Sequence, residues 1–117
     1  MEITSYRRGT VTVLAVSGDL DTMTAGALRE RIAGVDGSGL VLDLSEVTFI
    51  DSAGIRLLFA AFVAKSVGPG RKAIAGLGGQ VERVLTVMGM TGRLPCHRNV
   101  DAALTGLFDT ALPRKLG

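Results

Sequence analysis

The sequence predicts an α/β domain in which helices pack on a largely parallel sheet. Three observations predict this fold class. Strand-like and helix-like segments alternate along the chain, with no internal repeat and no linker-like stretch. β-Branched or continuous apolar runs mark the strands. Finally, 47% of the 117 residues are hydrophobic, which is enough for one core at this size.

The chain begins with two predicted strands. Residues 10–17 read TVTVLAVS, and this β-branched run predicts a strand. Residues 3–6 predict a weaker strand before it, and Arg8 and Gly9 supply the turn between them. Residues 19–22 are polar and are interpreted as a turn.

A helix and a buried strand follow. Thr22 or Thr24 is placed to cap a helix that runs to about Ala33. Its buried side is predicted to carry Ala27, Leu28 and Ile32. Residues 40–44 form a nearly continuous apolar run, which suits a strand buried on both faces, and residues 47–50 continue the apolar approach to the next element.

The strongest helical period of the chain starts at Ile55 and ends before the Gly-Pro-Gly of residues 68–70. Apolar residues recur there at helical spacing, which predicts a buried stripe of Ile55, Leu58, Phe59, Phe62 and Val63. The glycine-rich residues 76–79 are interpreted as a turn.

The last part of the chain predicts two strands and two helices. Residues 72–75 and 94–97 are strand candidates. The third helix is predicted from Val81, Val84, Leu85 and Met88, and Gly89 closes it. Asn99 is placed to cap a fourth helix, which Pro113 follows. Its inward side is predicted to carry Leu104, Leu107, Phe108, Ala111 and Leu112.

The net charge of +2 conceals an uneven distribution. Residues 19–51 carry seven acidic and two basic side chains, whereas residues 52–117 carry nine basic and three acidic ones. The basic residues are scattered, and all four Phe lie in apolar runs. A nucleic-acid tail or a base-stacking platform is therefore not indicated, and we expect no direct binding of nucleic acid.

Composition also excludes several other classes of protein. The longest apolar stretches fall far short of the roughly 18 residues that span a bilayer, so we expect no membrane span. No basic segment followed by an apolar run begins the chain, so a cytoplasmic location is expected. The one cysteine, Cys96, excludes an intramolecular disulfide and a cysteine-rich zinc site.

Polar residues gather where two predicted strands end. If those strands are neighbours, residues 19–22 and residues 50–54 leave the same edge of the sheet, where open α/β folds place their sites. Ser52 or Asp51 there satisfies the first amides of the next helix. In a functional interpretation, the Ser52 hydroxyl at a helix N-terminus is an anion site or a phosphorylation site. Both interpretations can hold together.

Enzymatic chemistry is not indicated at this serine. A nucleophile elbow has Gly on both sides of x-Ser-x, but Ile50 occupies the first Gly position. The one histidine, His97, has no assigned partner. Solvated loop acids are commoner than a metal site built from Asp19, Asp21 and Asp51. We therefore expect no catalytic residue, no metal and no cofactor.

Three blocks together resemble the STAS domain, and most closely the bacterial anti-sigma factor antagonists. They are residues 18–21 (GDLD), 40–55 (LVLDLSEVTFIDSAGI) and 81–90 (VERVLTVMGM). The resemblance implies one STAS domain over residues 1–117, with a core from about residue 3 to residue 112. It also implies a four- or five-stranded mixed sheet with about four helices, packed largely on one side.

The resemblance further implies a function without intrinsic chemistry. In that family the unphosphorylated antagonist binds an anti-sigma factor, which then releases its sigma factor. The anti-sigma factor is commonly a serine kinase of the histidine-kinase-like ATPase fold, and it phosphorylates the first Ser of Asp-Ser-Ser/Thr-Gly. Phosphorylation breaks the complex, and a PP2C-type phosphatase restores binding.

Carried onto this chain, the resemblance makes Ser52 the phosphate acceptor and Asp21 the family's loop aspartate. The partner is expected to contact Asp19, Asp21, Thr22, Asp51, Ser52, Ala53, Gly54 and Ile55. The chain departs from the family pattern at Ala53, which replaces a second hydroxyl, and mildly at Asp19, where Glu is frequent. Two alternatives remain: a STAS structural subunit of a transporter or scaffold whose Ser52 is only a helix cap, and a nucleotide-handling enzyme.

Overall fold

Five strands form one mixed sheet in the order β1-β2-β3-β4-β5. The structure is a computed structural model, and it describes residues 1–36 and 38–111. The strands are β1 (Glu2–Arg8), β2 (Val11–Leu20), β3 (Gly39–Ile50), β4 (Lys72–Ala75) and β5 (Cys96–His97). β1 pairs antiparallel with β2, and every other neighbouring pair is parallel. The predicted fold class is therefore confirmed, with five strands.

The helices connect and cover these strands. The α-helices of the described ranges are α1 (Ala25–Ala33), α2 (Ser52–Leu58), α3 (Gly79–Val87) and α4 (Val100–Ala111). A π-helical turn over Phe59–Val63 continues α2, and a short 3₁₀ turn covers Thr91–Arg93. The predicted cap of α4 is confirmed, because the Asn99 Oδ1 accepts a hydrogen bond of 2.8 Å from the Ala102 amide.

The two faces of the sheet have separate cores because side chains alternate along each strand. Leu14, Leu40 and Leu42 face the larger core, which α1, α2 and α3 cover. Val13 and Val41 face the smaller core, which α4 covers with Leu104 and Leu107 among others. Three of the four helices thus lie on one face, as expected.

β2 and β3 are longer than the sequence predicted. Asp19 and Leu20, predicted to lie in a turn, end β2, and the Leu20 side chain is fully buried. Gly18 adopts a φ of +94°, which favours glycine, and the β2–β3 register shifts beside it. This irregularity lets the strand continue through a polar segment in which apolar and polar residues do not simply alternate.

The buried face of α2 is also displaced from the prediction. Gly54, Leu57, Leu58, Ala61 and Phe62 are buried, whereas Phe59 is 42% exposed. Ile55 and Val63 are partly buried at the margin of the larger core. Leu58 and Phe62 of the predicted stripe are therefore confirmed, Phe59 was wrong, and the centre of the buried face is displaced by one residue, which is about 100° of helix rotation.

Smaller corrections concern the other helices. Ala27 is exposed on α1, whereas Leu28 and Ile32 are buried as predicted. Met88 is 57% exposed at the end of α3, and Met90, beyond the Gly89 turn, is buried in its place. The predicted inward orientations of Phe108, Ala111 and Leu112 concern side chains outside the described part of the structure.

Candidate functional site

The ends of β2 and β3 meet at one edge of the sheet, as the sequence predicted. The two strands are parallel, and Leu20 pairs with Ile50 at their carboxyl ends. The Asp51 amide donates a hydrogen bond of 3.2 Å to the Leu20 carbonyl, which joins the loops that follow the strands. This edge is called the acidic edge below, because it carries Asp19, Asp21 and Asp51.

Asp51 holds the acidic edge together with both of its carboxylate oxygens. Its Oδ1 accepts hydrogen bonds from the amides of Ala53 at 2.9 Å and Gly54 at 3.3 Å, so Asp51 is the N-cap of α2. Its Oδ2 accepts from the Thr22 amide at 3.1 Å and from the Thr22 hydroxyl at 3.3 Å. One side chain therefore both starts a helix and tethers the neighbouring loop.

The pKa of Asp51 is lowered from its ordinary value of 3.8. Desolvation by itself raises the pKa, but the hydrogen bonds from Gly54, Thr22 and Ala53 together outweigh that effect. These donors stabilise the charged form of the carboxylate. Asp51 is therefore ionised at neutral pH, and the acidic edge keeps its negative charge.

Ser52 is the first residue of α2, and it is exposed. Its hydroxyl makes no hydrogen bond to the residues that the structure describes, because the neighbouring Asp51 performs the capping. Of the two capping candidates that the sequence left open, Asp51 is the correct one. The Ser52 hydroxyl is thus available to a reagent or a partner from outside the molecule.

The loop between β2 and α1 is ordered by Asp21 and Thr24. The Asp21 Oδ1 accepts hydrogen bonds from the Met23 amide at 3.0 Å and the Thr24 hydroxyl at 3.1 Å. The same hydroxyl lies 2.8 Å from the Asp19 carbonyl oxygen, so the two oxygens share its one proton. Thr24 occupies the N-cap position of α1 but makes no side-chain cap, because its hydroxyl is engaged within the loop. The predicted cap by Thr22 or Thr24 was therefore wrong in its chemistry.

Gly54 lets α2 approach the ends of β2 and β3 closely. A Cβ at this position would lie 2.7 Å from both the Leu20 carbonyl oxygen and the Ile50 Cγ1. No side chain fits there without displacement of the backbone. Gly54 therefore sets which face of α2 meets the sheet, and this face keeps Ser52 outward.

A groove that the sequence did not reveal continues from the acidic edge. It has a volume of about 620 Å³ and runs between α1, α2 and the end of α3, with Ala53 and Ile55 in its wall. Phe59 and Met88 line it with partly exposed apolar surface, and Met23 stands 87% exposed on the nearby loop. Met23, an apolar residue in the mostly polar segment of residues 19–24, was the one sequence signal for this surface.

Within residues 1–36 and 38–111, no three His, Cys, Asp or Glu side chains are arranged to hold a metal ion. His97 lies on β5 and lines a cavity whose lining residues do not include Ser52. No helix in the same ranges is both long enough and apolar enough to cross a membrane.

Comparison with known proteins identifies similar chains that cover nearly the same length. A profile of the STAS domain matches residues 2–103. The anti-sigma-F factor antagonist RsfB of Mycobacterium tuberculosis is 33% identical over 101 residues, which are 83% of this chain and 81% of that protein.

Solved structures agree with this comparison. A crystal structure of an anti-sigma factor antagonist from Mycobacterium paratuberculosis superposes with a TM-score of 0.80 at 28% identity, over 92% of this chain and 94% of that one. The murine anion transporter Slc26a9 contains the same fold, with a TM-score of 0.70 at 20% identity. That match covers 86% of this chain and 18% of the transporter.

Proposed function

Because the chain belongs to the STAS domain family, and within it to the anti-sigma factor antagonists, we propose that it binds an anti-sigma factor and is switched off by phosphorylation of Ser52. In the unphosphorylated state the chain occupies the anti-sigma factor, which releases its sigma factor. The chain acts by binding and needs no catalytic residue, metal or cofactor of its own.

The observation that carries this proposal is the free hydroxyl of Ser52. A serine that caps a helix is engaged with backbone amides, and a kinase has to break that contact first. Here Asp51 supplies the cap, and Ser52 is exposed beside it. The acceptor that the family motif implies is therefore also the accessible one.

Asp51 also increases the loss of partner affinity that phosphorylation of Ser52 should cause. A phosphate at a helix N-terminus is commonly stabilised by free amides, but those of Ala53 and Gly54 already bind the Asp51 carboxylate. A phosphate on Ser52 adds a charge of about −1.5 to −2 at neutral pH. That charge joins Asp19, Asp21 and Asp51, and docking of a partner requires its desolvation. Loss of affinity then needs no refolding.

The partner surface consists of the acidic edge and the adjoining groove. The eight contact residues that the resemblance implies lie in or next to the two loops of this edge, and Gly54 among them is buried: Asp19, Asp21, Thr22, Asp51, Ser52, Ala53, Gly54 and Ile55. Ala53 and Ile55 belong to both the motif and the groove wall, so the two surfaces are continuous. Met23, Phe59 and Met88 supply apolar contacts of the kind that anchor interfaces.

Two further proteins complete the cycle. The anti-sigma factor is itself the serine kinase that modifies Ser52, and a PP2C-type phosphatase removes the phosphate. Ser52 is the single acceptor in the motif because residue 53 is alanine. A kinase reaction followed by peptide mass spectrometry tests this point. Stoichiometric phosphate on any residue of a Ser52→Ala variant contradicts it.

Calorimetry with the cognate anti-sigma factor tests the switch itself. Ser52→Glu should weaken binding by about a hundredfold or more, which corresponds to ~3 kcal/mol. Ser52→Ala should bind like the wild type and should melt at the same temperature, because Asp51 keeps the helix cap. Ser5→Glu is the matched control, since it adds the same charge to an exposed position on β1.

Equal affinities of the wild type and the Ser52 variants would remove Ser52 from the interface. Enzymatically phosphorylated protein should be measured as well, because one carboxylate carries less charge than a phosphate. If that form also binds unchanged, the alternative of a structural STAS subunit in a transporter or scaffold replaces the switch. Turnover of a nucleotide by the isolated chain would instead favour the enzyme alternative.

A further inference from the structure

A second cavity, called the basic cavity here, lies where β4 and β5 meet the π-helical turn and α4. Its volume is about 510 Å³, within the range of ligand pockets. Four cations and the histidine line it: Lys65, Arg71, Lys72, Arg93 and His97. No acidic side chain of the described chain stands among the lining residues. The cavity therefore concentrates positive charge that the sequence distributes over residues 65–93.

Lys72 is the most buried of these cations, at 7% exposure. Its Nζ donates a hydrogen bond to the Pro69 carbonyl, but an ammonium has three donors. Among the described residues one ion pair is present, and it joins Arg8 to Asp101. Lys72 therefore has no carboxylate partner among them. Burial, and then the charge of Lys65, lower the pKa of Lys72. An anion in the cavity would compensate this buried charge.

Lys65 reaches the basic cavity from an unusual backbone conformation. Its φ is +56°, in the left-handed region where glycine is normally found after a helix. Among the described non-glycine residues, Lys65 alone has a positive φ. A lysine at this position accepts backbone strain, and Lys65 is among the residues that line the cavity.

The basic cavity also has an apolar floor. Phe62, Leu94 and Leu107 are buried, at 4%, 6% and 6% exposure, yet contribute to its lining. A bare inorganic ion would leave this floor uncovered. Cations beside an apolar floor fit an organic anion, with its charged group on the cations and its carbon skeleton on the floor.

The basic cavity is remote from Ser52. Lys72 pairs with Leu40 near the start of β3, whereas Asp51 follows the end of that strand. At about 3.3 Å per residue the two positions are on the order of 30 Å apart along the sheet. An occupant held by Lys72 is therefore remote from Ser52, although Arg93 at the rim of the cavity contacts Phe59 of the groove.

We propose that the basic cavity binds a small organic phosphate. The phosphate group lies against Lys65, Arg71 and Lys72, and the remainder of the molecule covers Phe62 and Leu94. Arg93 contributes less, because its guanidinium already stacks on the Phe59 ring with 5.5 Å to the centroid. Arginine and lysine together recognise phosphate through charge-assisted hydrogen bonds.

A heteronuclear NMR titration of the full chain with inorganic phosphate and with phenyl phosphate tests the proposal, at constant ionic strength set with sodium chloride. We expect saturable shifts at residues 71–73 and 92–97. Phenyl phosphate should bind about tenfold more tightly, because that probe alone covers the apolar floor. Lys72→Met keeps the aliphatic stem and should weaken both probes by about tenfold.

Arg83→Gln is the matched control, because it removes one positive charge from an exposed position of α3 outside the basic cavity. It should leave both affinities within about twofold. If Lys72→Met fails to fold, Arg71→Gln takes its place with the same expected loss.

Absence of saturable shifts at these residues overturns the proposal, as does an equal loss of affinity in Arg83→Gln. Equal affinities for the two probes overturn the role of the floor and leave a site for inorganic ions. A single-stranded oligonucleotide that displaces phenyl phosphate at lower concentration identifies the cavity as a nucleic-acid contact instead. None of these results depends on Ser52 or on the anti-sigma factor.

Discussion

Asp51 performs two tasks that can be separated by mutation. One carboxylate oxygen caps α2 through Ala53 and Gly54, and the other tethers Thr22. An asparagine keeps an oxygen for the cap, and its amide nitrogen cannot accept from Thr22. An alanine removes both contacts. The two substitutions therefore distinguish the helix start from the geometry of the acidic edge.

We predict that Asp51→Asn melts below the wild type at neutral pH and binds the anti-sigma factor more weakly, and that Asp51→Ala loses more stability because the cap is lost as well. The pKa of Asp51 is lowered, so its charged form stabilises the fold above 3.8 and this contribution is lost as the pH falls through the lowered pKa. Thermal melts across acidic and neutral pH should show the gap between wild type and Asp51→Asn closing in acid. Asp36→Asn, at an exposed loop, is the control.

Cys96 illustrates a residue whose surroundings make it inert. Burial, and then the charge of Glu82, raise the pKa of the thiol from 9.0 to about 11. The thiolate, which is the reactive form, is therefore about a hundredfold scarcer at pH 8 than in an ordinary cysteine. We predict that iodoacetamide labels Cys96 in the folded chain about two orders of magnitude more slowly than in urea. Equal rates would contradict the raised pKa.

The orientation of α2 and its π-helical extension determines which of two phenylalanine side chains is buried in the core. Gly54 has to face the ends of β2 and β3, because a Cβ there would meet the Leu20 carbonyl at 2.7 Å. The residues one and two turns later, Leu58 and Phe62, then face the larger core. Phe59 is rotated out toward the groove and is left for contact with Arg93 or a partner.

Substitution of a phenylalanine by alanine should affect stability at one position of this element and partner binding at another. Phe62→Ala should lower the free energy of unfolding by about 3–5 kcal/mol, because Phe62 is 4% exposed in the larger core. Phe59→Ala should cost less than about 1 kcal/mol, mainly the contact with Arg93, yet should weaken binding of the anti-sigma factor. Chemical denaturation and calorimetry measure the two effects. A larger stability loss in Phe59→Ala would contradict the observed helix orientation.

For the whole molecule, stability depends on covering both faces of the sheet. α1, α2 and α3 cover the larger core, while α4 alone covers the smaller one through Ala103, Leu104 and Leu107. Val13 and Val41 have no exposed surface beneath α4. Each such side chain contributes about 1.5–3 kcal/mol by burial, so the smaller core is comparable with the total stability of a small domain.

We predict that a chain ending at residue 98, which lacks α4, does not unfold cooperatively. A chain ending at residue 112 should retain the stability of the full chain to within about 0.5 kcal/mol, because the domain core is proposed to extend from about residue 3 to residue 112. Urea unfolding followed by circular dichroism compares the three chains. A cooperative transition in the shorter chain would show that the larger core folds alone.

Much of this architecture follows from local sequence patterns. The alternation of β-branched runs and helical periods predicted the α/β class, residues 72–75 as a strand and Asn99 as a cap, and the structure confirms all three. The apolar run at residues 40–44 predicted burial on both faces, and Val41 and Leu42 face opposite cores. Such features are local because they depend on backbone propensity and on the period of apolar residues.

Local sequence patterns did not determine which face of a helix becomes buried. Residues 54–63 contain two overlapping apolar stripes, and contact of Gly54 with Leu20 selected between them. Likewise, Asp51 and Ser52 are both good caps by type, and only the approach of Thr22 shows how the Asp51 carboxylate is shared.

Sequence patterns predicted the fold class and the family motif around Ser52, and they predicted that the two loops meet at one edge on the condition that β2 and β3 are neighbours, which the structure shows. The identity of the α2 cap, the outward orientation of Phe59 and the basic cavity became visible only in the packed fold. Lys65, Arg71 and Arg93 are separated along the chain and share no period, and they line one cavity because β4, β5 and the π-helical turn converge. Spatial convergence of distant residues arises from packing, so no local pattern records it.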